Sequence, residues 1–196
     1  ALLHIFSLPI IWFLNYLLQL LKSTLMHQSS LNNMSLMLSK VLTPDIITRP
    51  FTVVDYGGRR IDGHESYYSL LKNYANLTYL GLDIQDGPGV DIVMTDPYKS
   101  PIKDNTVDIV VTGQMFEHCE FFWLTFEDIA RILKPGGYLL AITPSAGPVH
   151  KYPVDCWRFY PDAYAAMAKW SKMTLIEAWH DLSGKWCDQV GILKKP

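Results

Sequence analysis

The sequence predicts an α/β fold: a doubly wound, mostly parallel sheet with a hairpin at one edge. Three observations carry that expectation. Short apolar runs alternate with helical-looking segments from residue 51 onward, which is the rhythm of a parallel sheet with crossover helices. The run Val107-Asp108-Ile109-Val110-Val111-Thr112 is nearly continuous in apolar character, as suits a strand covered on both faces. Two closing runs, at 173–179 and 189–193, flank Ser183-Gly184 and can fold back as an antiparallel pair.

The organising stretch is 51–83. Phe51-Thr52-Val53-Val54 ends on Asp55 and breaks into Tyr56-Gly57-Gly58; a helical segment at 64–75 follows, then an apolar run from 77 to 82 that ends on Asp83. The helix face uses Tyr67, Leu70, Leu71 and Tyr74, read as core positions. This is one βαβ unit with an acid at the carboxyl end of each strand, where ligands of open α/β sheets bind. Glycine lets the backbone approach a ligand with φ > 0. A carboxylate at the second strand tip can accept hydrogen bonds from both hydroxyls of a ribose. The unit reads as a nucleoside-binding half-site.

After the turn Gln85-Asp86-Gly87-Pro88-Gly89 comes a short strand at 91–94, ending at Thr95-Asp96-Pro97. The strand at 107–112 gives way to Gly113-Gln114-Met115-Phe116-Glu117-His118, and a helix at 123–133 carries Phe126, Ile129, Ile132 and Leu133 on one face. Lys134-Pro135-Gly136-Gly137 terminates it. A fifth strand at 138–143, a loop to Pro161 and an alanine-rich helix at 162–170 complete the order.

Residues 1–21 contain no Asp, Glu, Lys or Arg. Ser7-Leu8-Pro9 suits a helix start. Three placements remain open for such a helix: against the domain or a partner chain, in a membrane interface, or across the bilayer. Residues 28–39, rich in Ser, Asn and Met, read as a linker or lid. The expected division is therefore an apolar N-terminal segment and linker at 1–45, then a catalytic-type domain at 46–196.

A chain of 196 residues with 49% apolar and 18% charged content is long enough to bury one good core. A net charge of −2 gives no electrostatic case for a nucleic-acid partner. The three cysteines, Cys119, Cys156 and Cys187, lie far apart without Cys-x-x-Cys spacing. They argue against a disulfide framework or structural zinc, no metal ligands are expected, and the reducing cytosol is the natural compartment.

From about Val53 to Lys194 the chain resembles the class I S-adenosylmethionine-dependent methyltransferases, of the type 11 group. The matching pieces are Val53-Val54-Asp55-Tyr56-Gly57, Gly81-Leu82-Asp83, Val107-Asp108-Ile109-Val110, Glu117-His118 and Arg131-Ile132-Leu133-Lys134-Pro135-Gly136-Gly137. The resemblance implies a Rossmann-like seven-stranded sheet in the order 3-2-1-4-5-7-6 with strand 7 antiparallel. It implies S-adenosylmethionine as cofactor and S-adenosylhomocysteine as product. One departure stands out: after Gly57 the family's later glycine positions hold Arg59 and Ile61, with the next glycine at Gly63, so the loop takes a wider path.

By the same resemblance, Asp55 and Gly57 line the methionyl side and Gly58 follows the cofactor backbone. Asp83 holds the ribose hydroxyls, Ile84 lies against the adenine, Asp96 meets its amino group with Pro97 beside it, and Gln114 sits near the amino-acid end. Transfer from a sulfonium chiefly needs in-line positioning, with a base where the acceptor must lose a proton. His118 and His150 are the candidate bases, since imidazole titrates near neutral pH. The loop His150-Lys151-Tyr152-Pro153-Val154-Asp155-Cys156-Trp157-Arg158-Phe159 resembles a segment of some of these enzymes. Its aromatic and ionisable groups either recognise the acceptor or cap the core, with Arg158 pairing a carboxylate.

The leading expectation is a methyltransferase acting on a small-molecule hydroxyl, amine or carboxyl. A nucleotide-dependent oxidoreductase would carry Gly-x-Gly-x-x-Gly after the first strand, which is absent. A non-catalytic module of the same fold, binding S-adenosylmethionine or S-adenosylhomocysteine or associated with a membrane, is the alternative, and residues 1–21 offer a surface for a membrane or for another copy of the chain.

Overall fold

A computed structural model of the chain describes residues 28–61 and 65–196. Seven strands, β1 (Phe51–Tyr56), β2 (Leu77–Asp83), β3 (Ile92–Val93), β4 (Val107–Gly113), β5 (Leu133–Pro144), β6 (Thr174–Asp181) and β7 (Asp188–Lys194), form one sheet in the order β3-β2-β1-β4-β5-β7-β6. Strand β1 pairs in parallel with β2 and β4, and β4 with β5, whereas β7 is antiparallel to both its neighbours. The expected sheet order and terminal hairpin are both present.

Because side chains alternate along a strand, the central strands feed two cores. Val54, Val110 and Leu139 point to the face covered by helices α4 (Phe122–Ile132) and α5 (Ala163–Ser171), where Phe126, Ile129, Ile132 and Met167 are buried. Val53, Ile109, Val111 and Leu140 point to the other face. That face is covered by helix α1 (residues 28–41), with helices α2 (Pro44–Ile47) and α3 (Tyr68–Leu71) beside it.

Helix α1 replaces the linker expected at 28–39. Met34, Met37, Leu38 and Val41 recur at helical spacing and are all buried against the sheet. The polar residues beside them also pack on the sheet: Asn33 donates to Asp181 Oδ2 and accepts from Trp179 Nε1, and Lys40 pairs with Glu177 at 2.6 Å. Residues just before 46 thus share a core with those after it. The opposite correction applies to 64–75, where the regular helix is the single turn α3. Tyrosine, serine and asparagine make up half of this stretch and have modest helix propensity, and the side chain of the N-cap residue, Tyr67, makes no capping bond.

Helix α4 ends as expected, but Leu133 is already extended and pairs with Val107. Strand β5 therefore begins before the glycine pair, and its register with β4 shifts between Val107 and Ile109. Among the described residues no helix is long and apolar enough to cross a membrane; the apolar segment 1–21 lies outside them.

Candidate active site

In the sheet order, β2 lies on one side of β1 and β4 on the other, so the connection from β1 to β2 and the later one from β3 to β4 run to opposite sides of β1 and leave a crevice at the strands' carboxyl ends. A cavity of about 940 Å³ occupies it, at the upper end of the roughly 300–1,000 Å³ usual for ligand sites.

The floor is the bend after β1. Gly57 and Gly58 both donate their N–H to Leu82 O, at 2.8 and 2.9 Å, which fastens the bend to β2. Gly57 has φ of +82°, and a Cβ there would overlap the Met115 side chain. Glycine is thus required both by conformation and by space.

Asp55 is buried at the end of β1, and Tyr79 donates its hydroxyl hydrogen to Asp55 Oδ2 at 2.6 Å. Burial pushes the Asp55 carboxyl up to about 6; the Tyr79 bond opposes that rise, and the charge of Asp83 adds to it. Asp83 accepts N–H bonds from Arg59 at 3.3 Å and from Gln85 at 3.0 Å, one on each carboxylate oxygen. Each oxygen keeps a further lone pair for a ligand hydroxyl. Ile84 presents an exposed apolar surface beside it.

Across the crevice, Gln114 takes a left-handed φ of 57° where β4 ends, and its amide donates to Asp188 Oδ1 at 2.8 Å. Burial pushes the Asp188 carboxyl up to about 6. A 3-10 turn, Phe116–His118, follows. His118 Nδ1 lies 2.6 Å from Val154 O; a carbonyl only accepts, so Nδ1 carries the hydrogen and Nε2 keeps the lone pair. Burial pulls the His118 imidazole below its usual range. The His118 and His150 rings meet edge to face with centroids 4.7 Å apart, and Trp186 lies 4.4 Å beyond His150.

The loop that brings His150 here is held at both ends. Arg158 forks onto Asp155 with bonds of 2.6 and 2.9 Å and also donates to Pro148 O. That guanidinium holds the Asp155 carboxyl well below the usual carboxylate range. The Cys156 N–H donates to Glu117 O at 2.7 Å, and Phe159 is buried beside Phe116 and Phe122. Both readings of the loop therefore hold at different residues: 155–159 anchor it, and 150–154 face the cavity.

Of the residues named from sequence, Asp55, Gly57, Gly58, Asp83, Ile84, Pro97, Gln114, His118 and His150 all line the cavity. Asp96 does not. Its carboxylate accepts the Tyr98 N–H at 2.8 Å in an exposed turn. Gly63 lies outside the described residues. Sequence reading missed Tyr79, because one tyrosine in a strand carries no mark of its partner. It also gave no role to Glu117, although that residue adjoins His118. Glu117 is fully buried, neither carboxylate oxygen has a hydrogen-bond partner, and burial pushes its carboxyl up to about 8. One ligand-type atom from each of Glu117, His118 and His150 falls within 4.8 Å of the others.

Residues 63–141 match the family model described as a methyltransferase domain. No curated protein matches the sequence. Among solved structures, the chain is similar to a SAM-dependent methyltransferase from Aquifex aeolicus, at 18% identity, TM-score 0.59, and coverage of 81% of this chain and 89% of that one. It is similar to the 1,6-didemethyltoxoflavin-N1-methyltransferase of Burkholderia thailandensis, solved with 1,6-didemethyltoxoflavin and S-adenosylhomocysteine, at 12% identity, TM-score 0.63, and coverage of 84% and 76%. The geranyl diphosphate C-methyltransferase of Streptomyces coelicolor gives 10% identity, TM-score 0.59, and coverage of 78% and 73%. Family match, strand order and crevice agree: residues 63–141 match a methyltransferase domain, within a fold that the chain shares with S-adenosylmethionine-dependent methyltransferases.

Proposed function

We propose that this methyltransferase binds S-adenosylmethionine in the crevice between β1, β2 and β4 and transfers its methyl group to a small-molecule hydroxyl, amine or carboxyl, leaving S-adenosylhomocysteine. The observation that carries the reading is the convergence of Asp55, Asp83 and the Gly57-Gly58 bend on one cavity. The residues fit such a group: an acid with free lone pairs for vicinal hydroxyls, an apolar shelf at Ile84 and Pro97, and a bend that has no room for a side chain at Gly57.

The cofactor, when bound, supplies a methyl group on a positively charged sulfur. The chain's task is to hold that methyl in line with an acceptor atom and to exclude water, since orientation alone can supply several kcal/mol of the barrier. Asp83 takes the ribose hydroxyls and Asp55 lies on the methionyl side. Gln114 stands near the amino-acid end. His118 and His150 stand in the wall where an acceptor's proton would leave. Residues 46–196 are the methyltransferase-like domain in this reading. The segment 1–45 is its N-terminal addition, and α1 closes one side of the cavity through Ser30 and Leu31. A cytosolic setting is the reading of the three scattered cysteines, which lack the spacing of a disulfide framework.

Calorimetric titration with S-adenosylhomocysteine, S-adenosylmethionine and NAD tests the proposal. The first two bind at one site and NAD gives no heat. Binding of NAD alone would point to redox chemistry, and binding of none would leave a non-catalytic module.

A further inference from the structure

We propose that Glu117, His118 and His150 form a binding site for a divalent transition-metal ion in the cavity wall, beside the cofactor crevice. Glu117 is the strongest reason. A carboxylate with both oxygens buried and unbonded is costly to keep charged unless a cation compensates it. Arg158, whose positive charge acts on it, makes no bond to it and is already committed to Asp155.

The histidines are set as metal ligands are. The His118 Nδ1–H bond to Val154 O fixes its tautomer and turns the bare Nε2 inward, to 3.6 Å from Glu117 Oε1. A backbone carbonyl behind the ring is the usual way of orienting a ligating imidazole. His150 Nδ1 is buried without a hydrogen bond, 3.4 Å from Asp155 Oδ2, so a carboxylate also stands behind the second ring. Donors around one ion lie about 3–4 Å apart; the three atoms, all within 4.8 Å, reach that spacing with small side-chain shifts.

Two imidazoles and one carboxylate suit zinc, cobalt, iron or manganese, whereas magnesium and calcium prefer all-oxygen sites. Three protein ligands leave a coordination position open, and both histidines border the cavity. That position is available to an oxygen of the acceptor. Resting on the methyltransferase reading, this narrows the acceptor to hydroxyl or carboxyl compounds. The cation lowers the acceptor hydroxyl's pKa and its proton passes to water. The oxygen then forms a bond to the methyl carbon as the carbon–sulfur bond breaks, and the sulfur leaves as a neutral thioether. The histidines hold the ion and do not themselves take the proton.

Metal-stripped protein of residues 1–196 is titrated with Co²⁺ and Zn²⁺, with Mg²⁺ for comparison, by calorimetry and by cobalt visible absorption. One equivalent of Co²⁺ or Zn²⁺ binds, Mg²⁺ does not displace it, and Glu117→Gln and His150→Ala each weaken binding by roughly tenfold or more. Circular dichroism checks folding; should Glu117→Gln fail to fold, the part-exposed His150 site still reports. Wild-type protein that binds neither ion below about 1 mM, or a folded His150→Ala chain with wild-type affinity, overturns the proposal. S-adenosylhomocysteine affinity is measured separately: its absence beside intact cobalt binding would sink the cofactor reading and leave the metal site standing.

Discussion

The Tyr79 hydroxyl donates a 2.6 Å hydrogen bond to Asp55 Oδ2, from β2 to the neighbouring strand β1, at the mouth of the crevice. The bond holds one of the two strand-end acids in place. It also partly offsets the burial that raises the acid's pKa. Its consequences are open to measurement.

Asp55 makes stability depend on pH. Its folded-state value of about 6 lies above the ordinary 3.8, so the native state holds the proton more tightly than the unfolded chain does. The stabilisation is fully present below about pH 4, is lost as pH rises through about 6, and is flat beyond; a shift of this size is worth about 3 kcal/mol. Urea unfolding from pH 4 to 7 should show Asp55→Asn lacking this loss. Tyr79→Phe, which removes the opposing hydrogen bond, should extend the loss above pH 6. Identical pH profiles in wild type and Asp55→Asn would refute the assignment.

Asp83→Ala should abolish most cofactor affinity. Two charge-assisted hydrogen bonds at about 1.5–3 kcal/mol each correspond to a weakening of about 100-fold or more for S-adenosylhomocysteine by calorimetry. The strand end is part-exposed, so the fold should survive. An affinity equal to wild type removes the ribose role.

Gly57→Ala should cost about 1–3 kcal/mol and lower Tm by roughly 3–10 °C, because the backbone is left-handed there and the methyl would displace Met115. The displaced Met115 enters the cavity, so cofactor binding should weaken as well. A Tm within error of wild type would show that the bend is not constrained as described.

Arg158→Lys keeps the charge but loses the fork that grips Asp155 and Pro148, and lysine does not reproduce bidentate geometry. The loop at 144–161 should be cleaved faster in limited proteolysis, and KM for the acceptor should rise while S-adenosylhomocysteine affinity holds. Unchanged cleavage would mean that the Cys156 and Phe159 anchors suffice.

Strand ends were legible because hydrophobic runs stop at acids: Asp83 closes β2, and Asp55 lies one residue before the end of β1. Helix α4 was legible because Phe126, Ile129 and Ile132 share a face and Lys134-Pro135-Gly136 breaks the period. Helix α1 was not, since its serines and asparagines obscure a stripe of only four buried apolar residues, and two of those polar residues, Ser30 and Asn33, are themselves buried. Asp96 was assigned from the resemblance alone, whereas its aspartate-proline context also fits the local turn it makes with Tyr98.

Local chemistry along the chain determined the α/β rhythm, the strand order by way of family resemblance, and most of the named residues that line the crevice, because burial periodicity and glycine bends are written over a few neighbouring positions. Only the tertiary structure decided that Glu117 would be sealed from water, and that His150, 32 positions beyond His118 in the sequence, would return to touch it. Desolvation and side-chain contact depend on what the rest of the chain packs around a residue, and no window of sequence contains that.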